Sequence, residues 1–494
     1  MSDTDSTKIR VKNIRFNFLM AIILKGSSII FPLITLPYVN RVIGPVGTGS
    51  VTFAWSATEY FCLFALLGLP TYGIRAVARV RDDVTELSRI VQELLIINFV
   101  ASVISYIAFF LSLIYVPKFQ SERLLLCINI VRIFFNMIGM EWFFQGIEQY
   151  RYITIRQITF KVLSLLAMFL FVRSPKDYII YGSLSIISNA CSNTMNFVHA
   201  GKYIIRRPLY NYSFKRHIKP IVFFLAITAA TTLYTNMDAV MIGFLLNNKS
   251  VGYYELAVKV EQVLCLVVTS LGMVLLPRIT YYLSKGDNNR FISLIGKSYH
   301  FVILVSVPMS VFFFFSAKYV IDVLGGNMYY KAIPSLQIVI FSLIPLGISN
   351  IARMQILAPT NREKVSMLVA FFGVGVNFLV NGLLIPIVGI KGAAIGTLVT
   401  ETVVAIIQVW MTRDIFYRVR NEIKYSKVLL SVGAAFIVLQ MINKVIVMPA
   451  FFRLVVLATL FFGTYGIMLL FLKDHFVTYY FNEYYTKIKR IVRR

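Results

Sequence analysis

The stretch VQELLIINFVASVISYIAFFLSLIY, residues 91–115, decides the class of this chain. A helix crosses a bilayer with about 20 mainly apolar residues, and this stretch runs past that length with its one carboxylate, Glu93, near its start. The run Leu94-Leu95-Ile96-Ile97 is apolar on every face, as is Val311-Phe312-Phe313-Phe314-Phe315 further on. A membrane-spanning strand would instead alternate over about ten residues. The reading is an all-α polytopic membrane protein.

Working outward, the same criterion predicts 14 transmembrane helices in the 494 residues. They fall near 14–39, 46–68, 91–115, 122–141, 157–172, 178–200, 221–246, 254–277, 298–316, 332–352, 365–385, 392–411, 428–443 and 454–472. The composition agrees. The chain is 58% hydrophobic and only 14% charged, too few charges to coat a water-facing surface, yet its formal net charge is +27. In a soluble chain that excess would suggest nucleic acid. Here 34 of the 49 Lys and Arg fall in the two tails and one alternate set of connections, and 11 in the other set. The rule that cytoplasmic loops collect Lys and Arg accounts for this split and places both termini in the cytoplasm, with no call for nucleic acid. Span edges are the least sharp feature, and Lys161 can fall in the connection 141–161 or inside the fifth helix.

The polar head leads into a full-length span containing Lys25, so no cleavable signal is expected. Cys62, Cys127, Cys191 and Cys265 lie in or beside spans without CxxC spacing, and they read as buried packing residues. His199, His217, His300 and His475 are scattered, so no metal or other cofactor is expected. The connections are short, the longest external one covering about 317–331, and leave no room for a catalytic domain. A GxxxxGK[ST] phosphate loop is absent, so ATP bound by this chain does not drive transport.

A loose repeat 205 residues apart pairs Val46-Gly47 in VGTGSVTFA with Val251-Gly252 in VGYYELA. Each opens the second helix of a group of six. The expected organisation is therefore an N-terminal six-helix lobe (14–200), a cytoplasmic basic linker (201–220) and a C-terminal six-helix lobe (221–411). Helices 13 and 14 (428–472) and a basic cytoplasmic tail (473–494) follow. Repeats of this kind place a site between halves in many transporters. Aromatics of the linker are expected at headgroup level beside its Lys and Arg.

The stretch FPLITLPYVNRVIGPVGTGSVTFAWSATEYFCLFALLGLPTYGIRAVARVR (residues 31–81) resembles the Wzx-type polysaccharide flippases of the multidrug/oligosaccharidyl-lipid/polysaccharide exporter superfamily. The pieces FFQGIEQYRYITIRQ (143–157), TNMDAVMIG (235–243), LLPRI (275–279), QILAPTNRE (355–363) and IPIVGIKGAAIGT (385–397) continue it in order. One departure is Ala76, after Tyr72-Gly73-Ile74-Arg75, where such proteins often carry an acidic residue that would partner Arg75. The resemblance implies an exporter (MATE-like) fold in the bacterial inner membrane and alternating access of two lobes. It implies a non-enzymatic carrier whose substrate is an undecaprenyl-diphosphate-linked glycan, for O antigen or capsule assembly. Implied partners are membrane lipid, a polysaccharide polymerase and a chain-length regulator. The runner-up is a multidrug or small-solute antiporter of the same superfamily; a membrane enzyme acting on a polyprenyl-linked sugar comes third.

A charge near the bilayer centre costs roughly 2.5 to 3.5 kcal/mol on insertion scales, so each one needs a reason. For a multiply anionic diphosphate the candidate cations are Lys25, Arg132 and Lys259, with Arg41 at the external mouth and Arg75 at the internal one. Lys25 and Arg132 are near mid-span, which favours cavity lining over a structural ion pair. Lys259 follows Glu255 by four residues and is close enough to a span end to snorkel. Asp238 is either an ion-coupling carboxylate or the salt-bridge partner of Lys25, and Glu59 and Glu401 could do either job.

Overall fold

The computed structural model describes residues 14–420, 424–445, 447–479 and 481–482. The described residues are helical with no strand. In chain order the helices are α1 (Ile14–Leu66), α2 (Leu69–Val80), α3 (Val84–Tyr115), α4 (Pro117–Ser121), α5 (Arg123–Ile130), α6 (Arg132–Gly139), α7 (Glu141–Gly146), α8 (Tyr150–Phe171), α9 (Tyr178–Ala200) and α10 (Lys215–Leu245). They continue with α11 (Asn248–Ser284), α12 (Asn288–Gly325), α13 (Ile333–Val339), α14 (Leu343–Ile351), α15 (Glu363–Val388), α16 (Ile390–Met411), α17 (Arg413–Val419), α18 (Tyr425–Val445) and α19 (Ala450–Phe471). The basic tail beyond residue 482 lies outside the described residues.

Among the described residues twelve helical stretches are long and apolar enough to cross a membrane, which differs from the expected 14 in two places. The first stretch, Gly26–Val80, has 55 residues; at 1.5 Å per residue that is about 80 Å of helix, against a hydrocarbon core of about 30 Å. It is broken at Gly44, whose φ of 74° and ψ of 176° are not helical. The second place is α9, 23 residues long, whose run of Ser and Asn lowers its hydropathy.

In α3 the all-round apolar character resolves into two faces. Leu94, Asn98, Ala101, Ser105 and Phe109 are buried, while Phe99, Ile104, Ile107 and Leu111 are exposed. Lipid tails are as apolar as Leu, so the small and polar residues go inside and the large ones outside. The helix starts where the Asp83 carboxylate accepts from the amides of Thr85 (2.9 Å) and Glu86 (3.0 Å).

Contacts divide the chain into two compact units, Met1–Gly252 and Tyr253–Arg494. That border is one helix later than the linker 201–220, because α10 packs within the first unit. Gly68 explains the attachment: its φ is +73°, and a Cβ there would come 2.5 Å from the Leu225 amide nitrogen of α10. The Val-Gly repeat is also a packing device. A Cβ on Gly252 would stand 2.1 Å from the Pro45 carbonyl oxygen, and one on Gly49 would overlap the Asn248 carbonyl, so these two helix starts touch backbone to backbone.

Inside the first unit one core gathers Val77, Leu87, Val91, Phe143, Phe144 and Ile153. Another gathers Phe53, Ala57, Phe109, Leu126 and Ile133. In the second unit α19 is fastened to α12 by Phe461 on Phe312 (5.4 Å) and by the Tyr465 hydroxyl donating to the Leu304 carbonyl (2.8 Å). His300 of α12 meets Asp474 at 3.1 Å. Burial works against the Asp474 charge, yet His300 and the amides of Phe476 and Val477 hold that carboxyl below the usual aspartate range. All four cysteines are free: Cys62 is buried, Cys127 and Cys265 are half-buried, and Cys191 is exposed, which corrects its expected burial. Cys191 is on the exposed face of α9.

Candidate functional site: intramembrane charges

Arg132 opens α6 and is 4% exposed. All its nitrogens are engaged: Nε donates to the Asn129 carbonyl (3.2 Å), Nη1 to the Glu59 carboxylate (3.1 Å), and Nη2 to the Thr58 hydroxyl (2.9 Å) and Trp55 carbonyl (3.3 Å). The guanidinium also lies 3.5 Å over the Trp55 ring. Of the two roles weighed for Arg132, the ion pair is the one these contacts display. A planar fork with five donors suits such a buried, many-sided seat better than an ammonium would. Glu59 is the more accessible partner, with about a third of its side chain exposed.

Asp238 is half-buried two turns before the end of α10, and its charge acts on Tyr60, the residue after Glu59. The first unit therefore brings Arg132, Glu59 and Asp238 around one stretch of α1. Lys25 is on α1 too, but its side chain lies outside the described ones, so its expected pairing with Asp238 cannot be traced. Arg41 and Arg75 are exposed. The Arg75 guanidinium is 4.9 Å over the Phe224 ring. In the second unit Lys259 pairs with Glu255 at 3.2 Å, as the spacing predicted. Glu401 is 4% exposed and Glu261 5%; both act, with Arg353, on the Cys265 thiol.

A second group of charges was not singled out from the sequence. The helix expected over 157–172 starts at Tyr150, which places Arg156 and Lys161 within its turns. Lys161, half-buried, donates to the hydroxyls of Ser27 (3.0 Å) and Ser28 (2.9 Å) on α1. Among the described residues no carboxylate stands within 4.0 Å of it, though Glu141 of α7 acts on it from further away. Glu141 accepts from Gln145 (3.1 Å) and Gln157 (2.8 Å) and is 3.7 Å from Arg156. The available signal was Lys161 itself, at the least certain span edge.

The linker is fastened along α3. Gln92 donates to the carbonyls of Ile205 (2.8 Å) and Arg207 (2.9 Å) and accepts from the Leu209 amide (3.2 Å) and Tyr212 hydroxyl (2.7 Å). Glu93, fully buried, accepts from Arg216 Nη2 (2.7 Å) and the Ser213 amide and meets His217 at 2.6 Å. Arg216 Nη1 also donates to Glu86 (2.6 Å), so one guanidinium joins two carboxylates of α3. Tyr212 thus turns inward and Tyr203 packs on the core, leaving Tyr210 exposed at 89%.

Comparison with known proteins bears on this arrangement. The model of the polysaccharide biosynthesis protein family matches residues 14–283, more than half of the chain. The chain belongs to the polysaccharide biosynthesis protein family. This agrees with its Wzx-type resemblance. A second model, MatE, matches residues 224–383. A family relative in Escherichia coli (strain K12), named "Putative O-antigen transporter", is 22% identical over 405 residues, covering 81% of this chain and 97% of its own. Among solved structures, the lipid II flippase MurJ in an inward closed conformation superposes with a TM-score of 0.73 at 15% identity, over 92% of this chain and 99% of its own. An inward-facing multidrug resistance MATE transporter superposes at 0.54 and 12% identity, over 80% and 99%. The exporter fold expected of the family is the fold of this chain.

Proposed function

We propose that this protein is a flippase that carries undecaprenyl-diphosphate-linked oligosaccharide repeat units across the bacterial inner membrane for O antigen or capsule assembly, by alternating access. The observation that carries the reading is Lys161, a cation within a spanning helix held by two serine hydroxyls, with no carboxylate among the described residues in direct contact. A phosphate oxygen is the natural further acceptor for its ammonium. Lys25, on the same α1 as Ser27 and Ser28, adds to the set, with Arg41 and Arg75 toward the mouths. Arg132 and Lys259 serve the structure, since each has its carboxylate. The family relative named as an O-antigen transporter and the flippase-like fold support the same substrate class.

Fourteen spans follow if Gly26–Val80 is divided at Gly44 and α9 is counted with the twelve, and both termini are then cytoplasmic. Asp238, Glu59 and Glu401 are proposed as coupling carboxylates for an ion gradient. Polymerase and chain-length regulator are proposed partners. The MatE match over 224–383 favours the multidrug antiporter as the second reading. Replacing Lys25 and Lys161 together by Gln separates the two. Surface polysaccharide should fall with the protein still in the membrane, whereas undiminished polysaccharide defeats the flippase reading.

A further inference from the structure

On the outer side of the first unit two adjoining cavities run between α6, α8 and α9. One, about 690 Å3, has walls of Phe135, Phe160, Met195 and Val198, with His199 and Lys202 at its end. The other, about 550 Å3, shares Tyr152, Phe160 and Met195 and adds Arg151 and Arg156. Both sizes are those of ligand pockets. The ridges around them, Ile155, Leu163, Phe197 and Val198, are exposed and apolar, so the opening faces lipid tails.

The polar end of this groove is built for an anion. Arg151 and Lys202 are exposed at its rim, beside the first turn of α8, whose cap Gln149 supplies no side-chain bond. The amides of such a turn attract negative charge. Deeper, the Arg156 side chain is 2% exposed. Its Nη1 donates to the Ser192 carbonyl (3.1 Å), but Nε and Nη2 complete no hydrogen bond, although Glu141 and Tyr152 lie near. Buried donors left short of acceptors are costly. Arg151, Arg156 and Lys202 are among the described residues that line the two cavities, and no carboxylate is, Glu141 standing behind Arg156.

We propose that this groove holds one phospholipid with an anionic headgroup, of the phosphatidylglycerol type, as a bound component of the protein. Its phosphate sits between Arg151, Lys202 and the first turn of α8, with Arg156 supplying positive potential behind. One acyl chain lies along Phe135, Phe160, Met195 and Val198. The transported carrier is the less fitting occupant, because the apolar ridges give its glycan no hydrated place. The site is independent of the flippase reading.

The test is native mass spectrometry of the full-length protein in detergent, titrated separately with phosphatidylglycerol, phosphatidylcholine and undecaprenyl phosphate. Phosphatidylglycerol is expected to be retained at least tenfold better than phosphatidylcholine. Arg151→Gln with Lys202→Gln, both exposed, should cut that retention about tenfold, the loss of one or two charge-assisted hydrogen bonds. Thr194→Trp should cut it similarly by filling the groove while leaving every charge in place. Equal retention of the two phospholipids overturns the proposal, as does retention unchanged in either variant. Displacement of phosphatidylglycerol by equimolar undecaprenyl phosphate also overturns it and assigns the groove to the carrier.

Discussion

Arg132 and Lys161 are both cations inside spanning helices of the first unit, and their surroundings could hardly differ more. Arg132 spends every nitrogen on the protein, stacked on Trp55 and paired with Glu59. Lys161 rests on two neutral hydroxyls. A charge in a membrane helix needs a reason, and the two supply different ones. The first is compensated inside the folded chain; for the second we propose a phosphate as the further acceptor. Depth in the sequence points the wrong way, since Arg132, the deeper of the two by span, is the one with a carboxylate.

This contrast breaks most easily at Arg132. Removing one partner of a buried ion pair leaves the other uncompensated, at about 3–5 kcal/mol, so Arg132→Met should sharply lower thermal stability of the purified protein and its amount in the membrane. Arg132→Met with Glu59→Met should recover much of that loss. A single variant that stays fully stable yet loses transport would make Arg132 a transport residue. Glu93→Gln is next, because the buried carboxylate holds three donors of the linker; about 2–3 kcal/mol of stability should go, read as faster proteolysis within 201–214. Lys161→Gln should leave stability within about 0.5 kcal/mol and reduce flipping in reconstituted vesicles roughly tenfold, the worth of one charge-assisted contact to phosphate. Lys161→Arg should restore part of it. Loss of stability as large as at Arg132 would erase the distinction. Lys259→Gln should cost least, about 0.3–0.5 kcal/mol as for other exposed helix pairs, measured by thermal unfolding.

The intramembrane charges were legible one by one, but of their pairings only the one within a single helix was. Lys259 and Glu255 are four apart on one helix, so their contact followed from helical geometry alone. Arg132 and Glu59 are 73 residues apart, and nothing local links them. Lys161 was left between a connection and the fifth helix because α8 begins seven residues before the apolar run does, and the first two turns of that helix carry Arg151 and Arg156. Its polar start reads as a loop when hydrophobicity is the guide.

By itself the sequence determined the membrane class, the asymmetry of Lys and Arg, and the family. Each of these depends on a sum over about 20 residues or on short motifs, and the bilayer reads such sums directly. Tertiary structure alone decided which charges are spent and which remain. It also decided that α10 packs within the first unit, through the bare backbone of Gly68, and that the linker lies clamped on α3. These outcomes depend on single contacts between residues distant in the chain, where a few tenths of an ångström or one hydroxyl settles the partner.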